Sequence, residues 1–306
     1  MNKPPLIWTN ILLFSITTLV AAIGVPWYAL TVGFGWAEIS ATIVCLGYCG
    51  MSITAGYHRL WAHKTYDAHP VLQWVYAIGG AFALQNSALH WSADHRVHHR
   101  HVDDNDKDPY SAGRGFWYSH IGWFLNEQNF TTRKEVIKDW IKFPELVWLD
   151  RFSLPVVLLT ALSIYGLGEW LAVAYPSLGT SGLQLLVWGF VVSTVLLIHA
   201  TLCINSLAHL YGSRDFETND NSRNNLFLSI ITLGEGWHNN HHYYAGSTRQ
   251  GFFWWQIDIT YYILKMMSFF GLIWAIKPVP ERVYDAHKTQ IQNLKMNANK
   301  IQSEKS

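Results

Sequence analysis

The sequence predicts an all-α integral membrane protein, with four transmembrane helices in two hairpins and a helical, histidine-rich cap on one side. Three observations carry that expectation. Half of the 306 residues are hydrophobic and only 14% are charged, well below the roughly 25% of an average soluble domain. Four stretches reach the length of about 20 apolar residues that a bilayer crossing requires. The chain also has 15 histidines, most of them grouped beside or between those stretches. The same composition excludes other classes. A net charge of +1 is too weak for general capture of nucleic acid, and no nucleic-acid partner is expected. The three cysteines, Cys45, Cys49 and Cys203, lie in apolar runs and read as small buried hydrophobes without a disulfide framework.

The expected spans cover about 6–30, 37–56, 154–175 and 183–207. The first is longer than the apolar core of a secretory signal and no small-residue cleavage site closes it, so it reads as a retained span. Of the 22 Lys and Arg, one precedes the first span, eleven lie between the hairpins and ten follow the fourth span. The two short loops of the hairpins carry none. The positive-inside rule then puts both termini and the histidine-rich cap in the cytoplasm. Two further apolar stretches, Leu72–Leu89 and Phe252–Ile276, contain polar or charged residues and read as re-entrant or interfacial helices. The FFWW run Phe252–Trp255 suits a membrane-interface belt. One domain is therefore expected over 1–285, with cap segments 57–153 and 208–285, followed by a polar tail 286–306 that frays.

Nine histidines carry the chemistry. His58 and His63 stand in HRLWAH, His95, His98 and His99 in HRVHH, and His238, His241 and His242 in HNNHH. His209 follows Asn205 by four residues in NSLAH. On a helix, positions i, i+3 and i+4 share a face, so each HxxHH turns three imidazoles toward one volume. His58 and His63 differ, because five residues rotate about 140° around a regular helix. Those two rings converge only if the helix ends or distorts, or if each serves a different metal. All four groups fall on the same side of the predicted spans. Nine imidazoles exceed the four ligands of a single tetrahedral zinc, so two metal ions are expected. Imidazole suits Zn, Cu, Fe and Ni alike. The zinc-protease string HExxH is absent, and only Glu235–His238 matches a Glu-x-x-His di-iron motif. Asn205 reads as metal-facing beside His209, whereas His69, His90, His101, His120, His199 and His287 read as structural.

These boxes resemble those of the membrane fatty acid desaturases, in the branch of stearoyl-CoA desaturase and the bacterial Δ9 acyl-lipid enzymes. The resemblance runs from about residue 35 to 258 and is carried by GYHRLWAH (Gly56–His63), DHRVHHRH (Asp94–His101), Asp108–Pro109, GFWYSHIGW (Gly115–Trp123), NSLAHLYG (Asn205–Gly212) and GEGWHNNHH (Gly234–His242). It implies a cytoplasmic cap holding two non-haem irons. The ligands it implies are His58, His63, His95, His98, His99, His209, His238, His241 and His242, with Asn205 reaching a metal through water. It implies the insertion of a cis double bond, at Δ9, into a saturated acyl chain, with O2 as co-substrate. Gln85, Trp91 and Thr201 are the channel-lining positions carried over by analogy. Acyl-CoA members have Arg before the Asp of the second box and Arg-Lys after the HVGW stretch. Here those positions are Ala93 and about Glu127–Gln128, so the carrier is an acyl-lipid or another acyl-thioester as readily as CoA. The chain has no haem-binding HPGG, no dinucleotide fingerprint and no cysteine cluster. A separate ferredoxin or cytochrome b5 type donor with its reductase is implied, and Arg96, Arg100 and Arg249 are weighed as its docking residues against ordinary solvated charge.

Two alternatives stand beside this reading. A histidine-box hydroxylase or ketolase acting on an alkyl, sterol or carotenoid substrate would use the same metal chemistry, but the Asn205–His209 segment favours desaturation. A non-catalytic membrane metal-binding protein would place ionisable residues along a path through the spans. The span interiors offer mainly His199 and Glu169.

Overall fold

The computed structural model describes residues 5–31 and 33–303. Its four long apolar helices, Trp8–Thr31, Trp36–Ala62, Ser153–Ala174 and Gly182–His209, are each long and apolar enough to cross a membrane. They match the expected spans closely, except that the second continues six residues further and carries the first histidine box within the same helix. Polar groups tie the spans together at the end remote from the histidines. Thr180 donates to Glu38 Oε1 at 2.6 Å, Gly182 N donates to Glu169 Oε1 at 2.9 Å, and Thr42 Oγ1 donates to the Trp188 carbonyl at 3.1 Å. Glu169 is thus a tie between the third and fourth spans. These two spans approach closely at Gly168, where a Cβ would come within 2.6 Å of Gly182 Cα. The first span rests on the fourth, with Phe14 at 5.5 Å from His199, and on Phe124 of the cap at 5.4 Å.

The apolar stretch Leu72–Leu89 does not cross. Its helix Pro70–Phe82 has 13 residues, or about 20 Å, against the roughly 30 Å of a hydrocarbon core. Positive φ at Leu84 (56°) and Asn86 (64°) turns the chain back, and Ser87 caps the next helix, Ala88–Arg100, by accepting from His90 N at 3.1 Å. The second stretch, Phe252–Ile276, is likewise broken. It forms the helix Ile259–Phe269, capped by Asp258, and then the strand Ile273–Trp274, which pairs antiparallel with Asp67–Ala68. This two-residue ladder is a small departure from an all-α fold. Trp254 (81%) and Phe269 (86%) stand fully out from this surface, the aromatic display expected of an interfacial face.

One expectation fails. The polar tail does not fray from residue 286, because that position lies inside the helix Glu281–Ser303. The helix lacks a continuous apolar stripe but is rich in strong helix formers, and its first turns are held by side chains. Val283 is buried, Tyr284 Oη donates to the Phe252 carbonyl at 3.0 Å, and the His287 ring packs, tilted, 4.7 Å from Phe253. At the other end of the chain, Ile7 N donates to the Leu125 carbonyl at 2.8 Å and Glu127 N to the Pro5 carbonyl at 3.1 Å. The start of the first span, the C-terminal helix and the histidine cap therefore share one side of the spans.

Candidate metal centre and acyl cavity

Each histidine box is shaped by a local device. The last eleven residues of the second span, Ser52–Ala62, form a π-helix, and His63 N bonds to the His58 carbonyl at 3.1 Å. In this i+5 ladder, residues five apart stand one turn above each other, which resolves the 140° conflict of a regular helix. The two rings lie 4.8 Å apart. The second box occupies the regular helix Ala88–Arg100, the third the short helix His238–Tyr243, and His209 ends a 3-10 turn, Leu207–His209, that closes the fourth span. The third box is aimed by a tight turn. Gly234 has φ of 121° and a Cβ there would strike Asp258 Oδ1 at 2.4 Å, so only glycine fits.

The nine histidines assemble into two clusters. His58, His63, His95, His99 and His241 form one, and His98, His209, His238 and His242 form the other. Within each, one ligand atom per residue lies within 4.8 Å of the rest. Each HxxHH box is therefore divided rather than delivered to one metal. Its i and i+4 rings serve one cluster and its i+3 ring the other, because positions i+3 and i+4 differ by about 100° around a helix.

Carboxylates behind the rings set their tautomers. His98 Nδ1 faces Asp108 Oδ2 at 2.9 Å, His209 Nδ1 faces Asp103 Oδ1 at 3.3 Å and His242 Nδ1 faces Asp220 Oδ2 at 3.3 Å. His58 Nδ1 is in contact with Glu235 Oε2, and His95 Nδ1 lies 3.1 Å from Tyr110 Oη. An ionised carboxylate only accepts, so the facing Nδ1 carries the proton and Nε2 keeps its lone pair. The Nε2 atoms of these rings and of their neighbours converge: His58 to His241 at 3.0 Å, His241 to His99 at 2.9 Å, His63 to His95 at 2.8 Å and His209 to His238 at 3.0 Å. His242 Nε2 is buried without any partner. Burial, with neighbouring imidazoles adding to it, pushes His63, His95, His99, His238 and His241 well down from the usual range. Burial also lowers His242, to about 4, against the raising effect of Asp220. Imidazoles that converge through Nε2, several of them held neutral by burial and several fixed in tautomer by a carboxylate, are the donor set that a pair of borderline metal ions requires. The residues fit two such ions.

A cavity of about 330 Å³ opens from the clusters, with His58, His95, His98 and His238 in its wall. From there it runs between the second span, along Thr54, Gly50, Gly47 and Ile43, and the fourth, along Asn205, Thr201 and Leu197. Asn205 thus sits on the wall between the metal clusters and the apolar part of the cavity. Trp91 and Thr201 stand in its wall, whereas Gln85, expected beside them in the lining, does not reach the cavity and stands behind Thr201. Gln85 Nε2 donates to Thr201 Oγ1 at 3.0 Å, and Trp91 Nε1 points at Gln85 Oε1 at 3.4 Å.

Sequence reasoning missed Asp103, Asp108, Asp220 and Glu235 as partners of the rings. Glu235 and Asp108 stood inside motifs already singled out, without being given that role, and Asp103 and Asp220 had no signal beyond the acids that cluster near the boxes. It also misassigned two arginines. Arg96 is committed to Asp139 at 2.7 Å and to the Trp61, Ala62 and Val136 carbonyls, and Arg249 to the Gly251 and Phe253 carbonyls. Both hold the cap together and are neither free docking charges nor solvated ones. Arg100 alone of the three is exposed without such ties.

A family model described as fatty acid desaturase matches residues 34–267. The chain belongs to the fatty acid desaturase family. It is 37% identical over 276 residues to the sn-2 palmitoyl-lipid 9-desaturase of Nostoc sp. (strain 36), covering 89% of this chain and 90% of that protein. It is 34% identical to Delta-9 acyl-lipid desaturase 1 of Arabidopsis thaliana, over 80% of this chain and 76% of that protein. It is also 34% identical to acyl-CoA desaturase 1 of Saccharomyces cerevisiae, over 82% of this chain but 48% of that longer protein. The chain is an oxidoreductase of fatty acyl desaturation, embedded in a membrane by four helices.

Proposed function

We propose that this desaturase inserts a cis double bond at Δ9 into a saturated acyl chain, using O2 and two non-haem irons held by the two histidine clusters. The observation that carries this reading is the continuity of the cavity with both clusters: one apolar channel between the second and fourth spans ends on His58, His95, His98 and His238. Iron bound there would supply, with O2 and two electrons, the oxidising power that an unactivated CH2–CH2 pair demands and side-chain acid–base chemistry lacks. The protein's own contribution is placement. Ile43, Gly47 and Leu197 offer an apolar track that excludes water from the chain, and Trp91 and the Thr201–Gln85 pair fix the wall beside the reacting carbons. Asn205, in the cavity wall beside the clusters, would reach a metal there through water.

Electrons come from a separate donor of ferredoxin or cytochrome b5 type and its reductase. Both termini and the cap face the cytoplasm, as the distribution of Lys and Arg favours. The related proteins named above include both acyl-lipid and acyl-CoA enzymes. Ala93 is fully buried and Asp94 beside it is paired with Arg133, so neither of these two positions offers a cation to a CoA phosphate, which favours an acyl-lipid substrate. The test is turnover by the purified enzyme, given reduced donor, O2 and stearoyl chains as glycerolipid or as CoA thioester. The expected product is a 9-enoyl chain on the lipid, whereas hydroxylated chains would overturn the reading.

A further inference from the structure

The two clusters are not built alike. Three of the four histidines in the smaller cluster have an aspartate behind them: His98 has Asp108, His209 has Asp103 and His242 has Asp220. In the five-histidine cluster only His58 has a carboxylate, Glu235, and that carboxylate is shared with Arg59 at 3.0 Å. Among the described residues no carboxylate lies against His63, His99 or His241.

The three aspartates also form one strap. Asp108 accepts from Asp103 N at 2.9 Å, and Asp103 Oδ2 accepts from Asn221 N at 2.8 Å and Asn221 Nδ2 at 3.1 Å. Asn221 follows Asp220, whose Oδ1 accepts from Ser222 N at 2.8 Å. Asp103 makes these contacts from a left-handed backbone, φ 61°, a conformation uncommon outside glycine though less costly for Asp than for most residues.

A fifth imidazole adds a donor to the larger cluster, but imidazoles are neutral and supply none of the charge that offsets a buried dication. Carboxylates behind the rings supply that charge, fix each ring and raise its basicity, each being worth 10- to 100-fold in affinity. We propose that the four-histidine cluster is the tight, retained metal site and the five-histidine cluster the exchangeable one. Asp103, Asp220 and Asn221 act as positioning residues for the tight site. This rests on the reading that both clusters hold metal.

The test follows metal content per chain by mass spectrometry while purified full-length enzyme stands in chelator. The wild type is expected to lose its two metals in two phases, with a plateau near one. Asp220→Asn, and the milder Asn221→Ala at an exposed position, are expected to speed the slow phase about 10- to 100-fold and leave the fast phase unchanged. Glu235→Gln is expected to speed only the fast phase. Two metals leaving together, or Asn221→Ala and Asp220→Asn leaving the slow phase as it was, would overturn the inference alone. A chain that retains no metal at all would overturn the metal reading beneath it.

Discussion

Arg59 donates to both carboxylate oxygens of Asp258, at 3.1 and 3.3 Å, from a position only 1% exposed. The same guanidinium reaches Glu235, the carboxylate that holds His58. One buried cation thus locks the π-helical end of the second span to the turn that aims the third histidine box.

Removing one partner from such a pair leaves a charge buried without compensation, at a cost of about 3–5 kcal/mol. Arg59→Met is therefore expected to lower the unfolding free energy by that amount in detergent. Lys288→Ala, which deletes an exposed pair with Asp285, is expected to change it by about 1 kcal/mol or less. Parallel denaturant titrations check both.

The hydrogen bond from Gln85 to Thr201 fixes the wall of the cavity beside Trp91. Thr201→Val keeps the shape and removes the acceptor. It is expected to reduce kcat roughly 10- to 100-fold, the penalty of a small misplacement of reacting atoms, and to spread the double bond over neighbouring positions. Product analysis with double-bond location reads both effects.

Gly47 lines the cavity, and a Cβ built there meets nothing within 4 Å. Gly47→Leu is accordingly expected to fold normally and to fill part of the acyl track. Products should shift toward shorter chains, with the longest substrates losing about 10- to 200-fold in kcat/KM, the scale set by a methylene that no longer fits. Competition between acyl chains of graded length measures this.

The buried imidazoles give the metal-free protein a pH dependence. The folded values of His63, His95, His99, His238, His241 and His242 lie below the ordinary 6.5, with His242 at about 4. Between those limits the unfolded chain takes up protons that the fold refuses, so stability is full above pH 6.5 and falls as pH drops toward 4. Melting of the metal-stripped enzyme across that range should show the decline, and His242→Gln should reduce it.

Much of this was legible in the sequence, for physical reasons. A bilayer forces apolar runs of fixed length, so the four spans were readable to within a few residues, although the second runs on through His58. Imidazoles that must converge recur in close groups, most of them at helical spacing, so all nine histidines stood out. What escaped depends on contacts between segments far apart in the chain. Asp220 lies 22 positions before His242, and nothing local links Asp103 to His209. The π-helix of Ser52–Ala62 was visible only as a conflict, since regular geometry kept His58 and His63 apart. The C-terminal helix was missed because propensity and a few docked side chains, rather than an apolar stripe, hold it.

The most direct measurement expresses the chain and its His95→Ala variant in a host unable to make unsaturated fatty acids. Membrane fatty acids are then analysed by gas chromatography–mass spectrometry with double-bond location. A cis-Δ9 double bond in the lipid-bound chains, lost in the variant, is the predicted result. Hydroxylated chains, or unsaturation that persists without His95, would contradict the account.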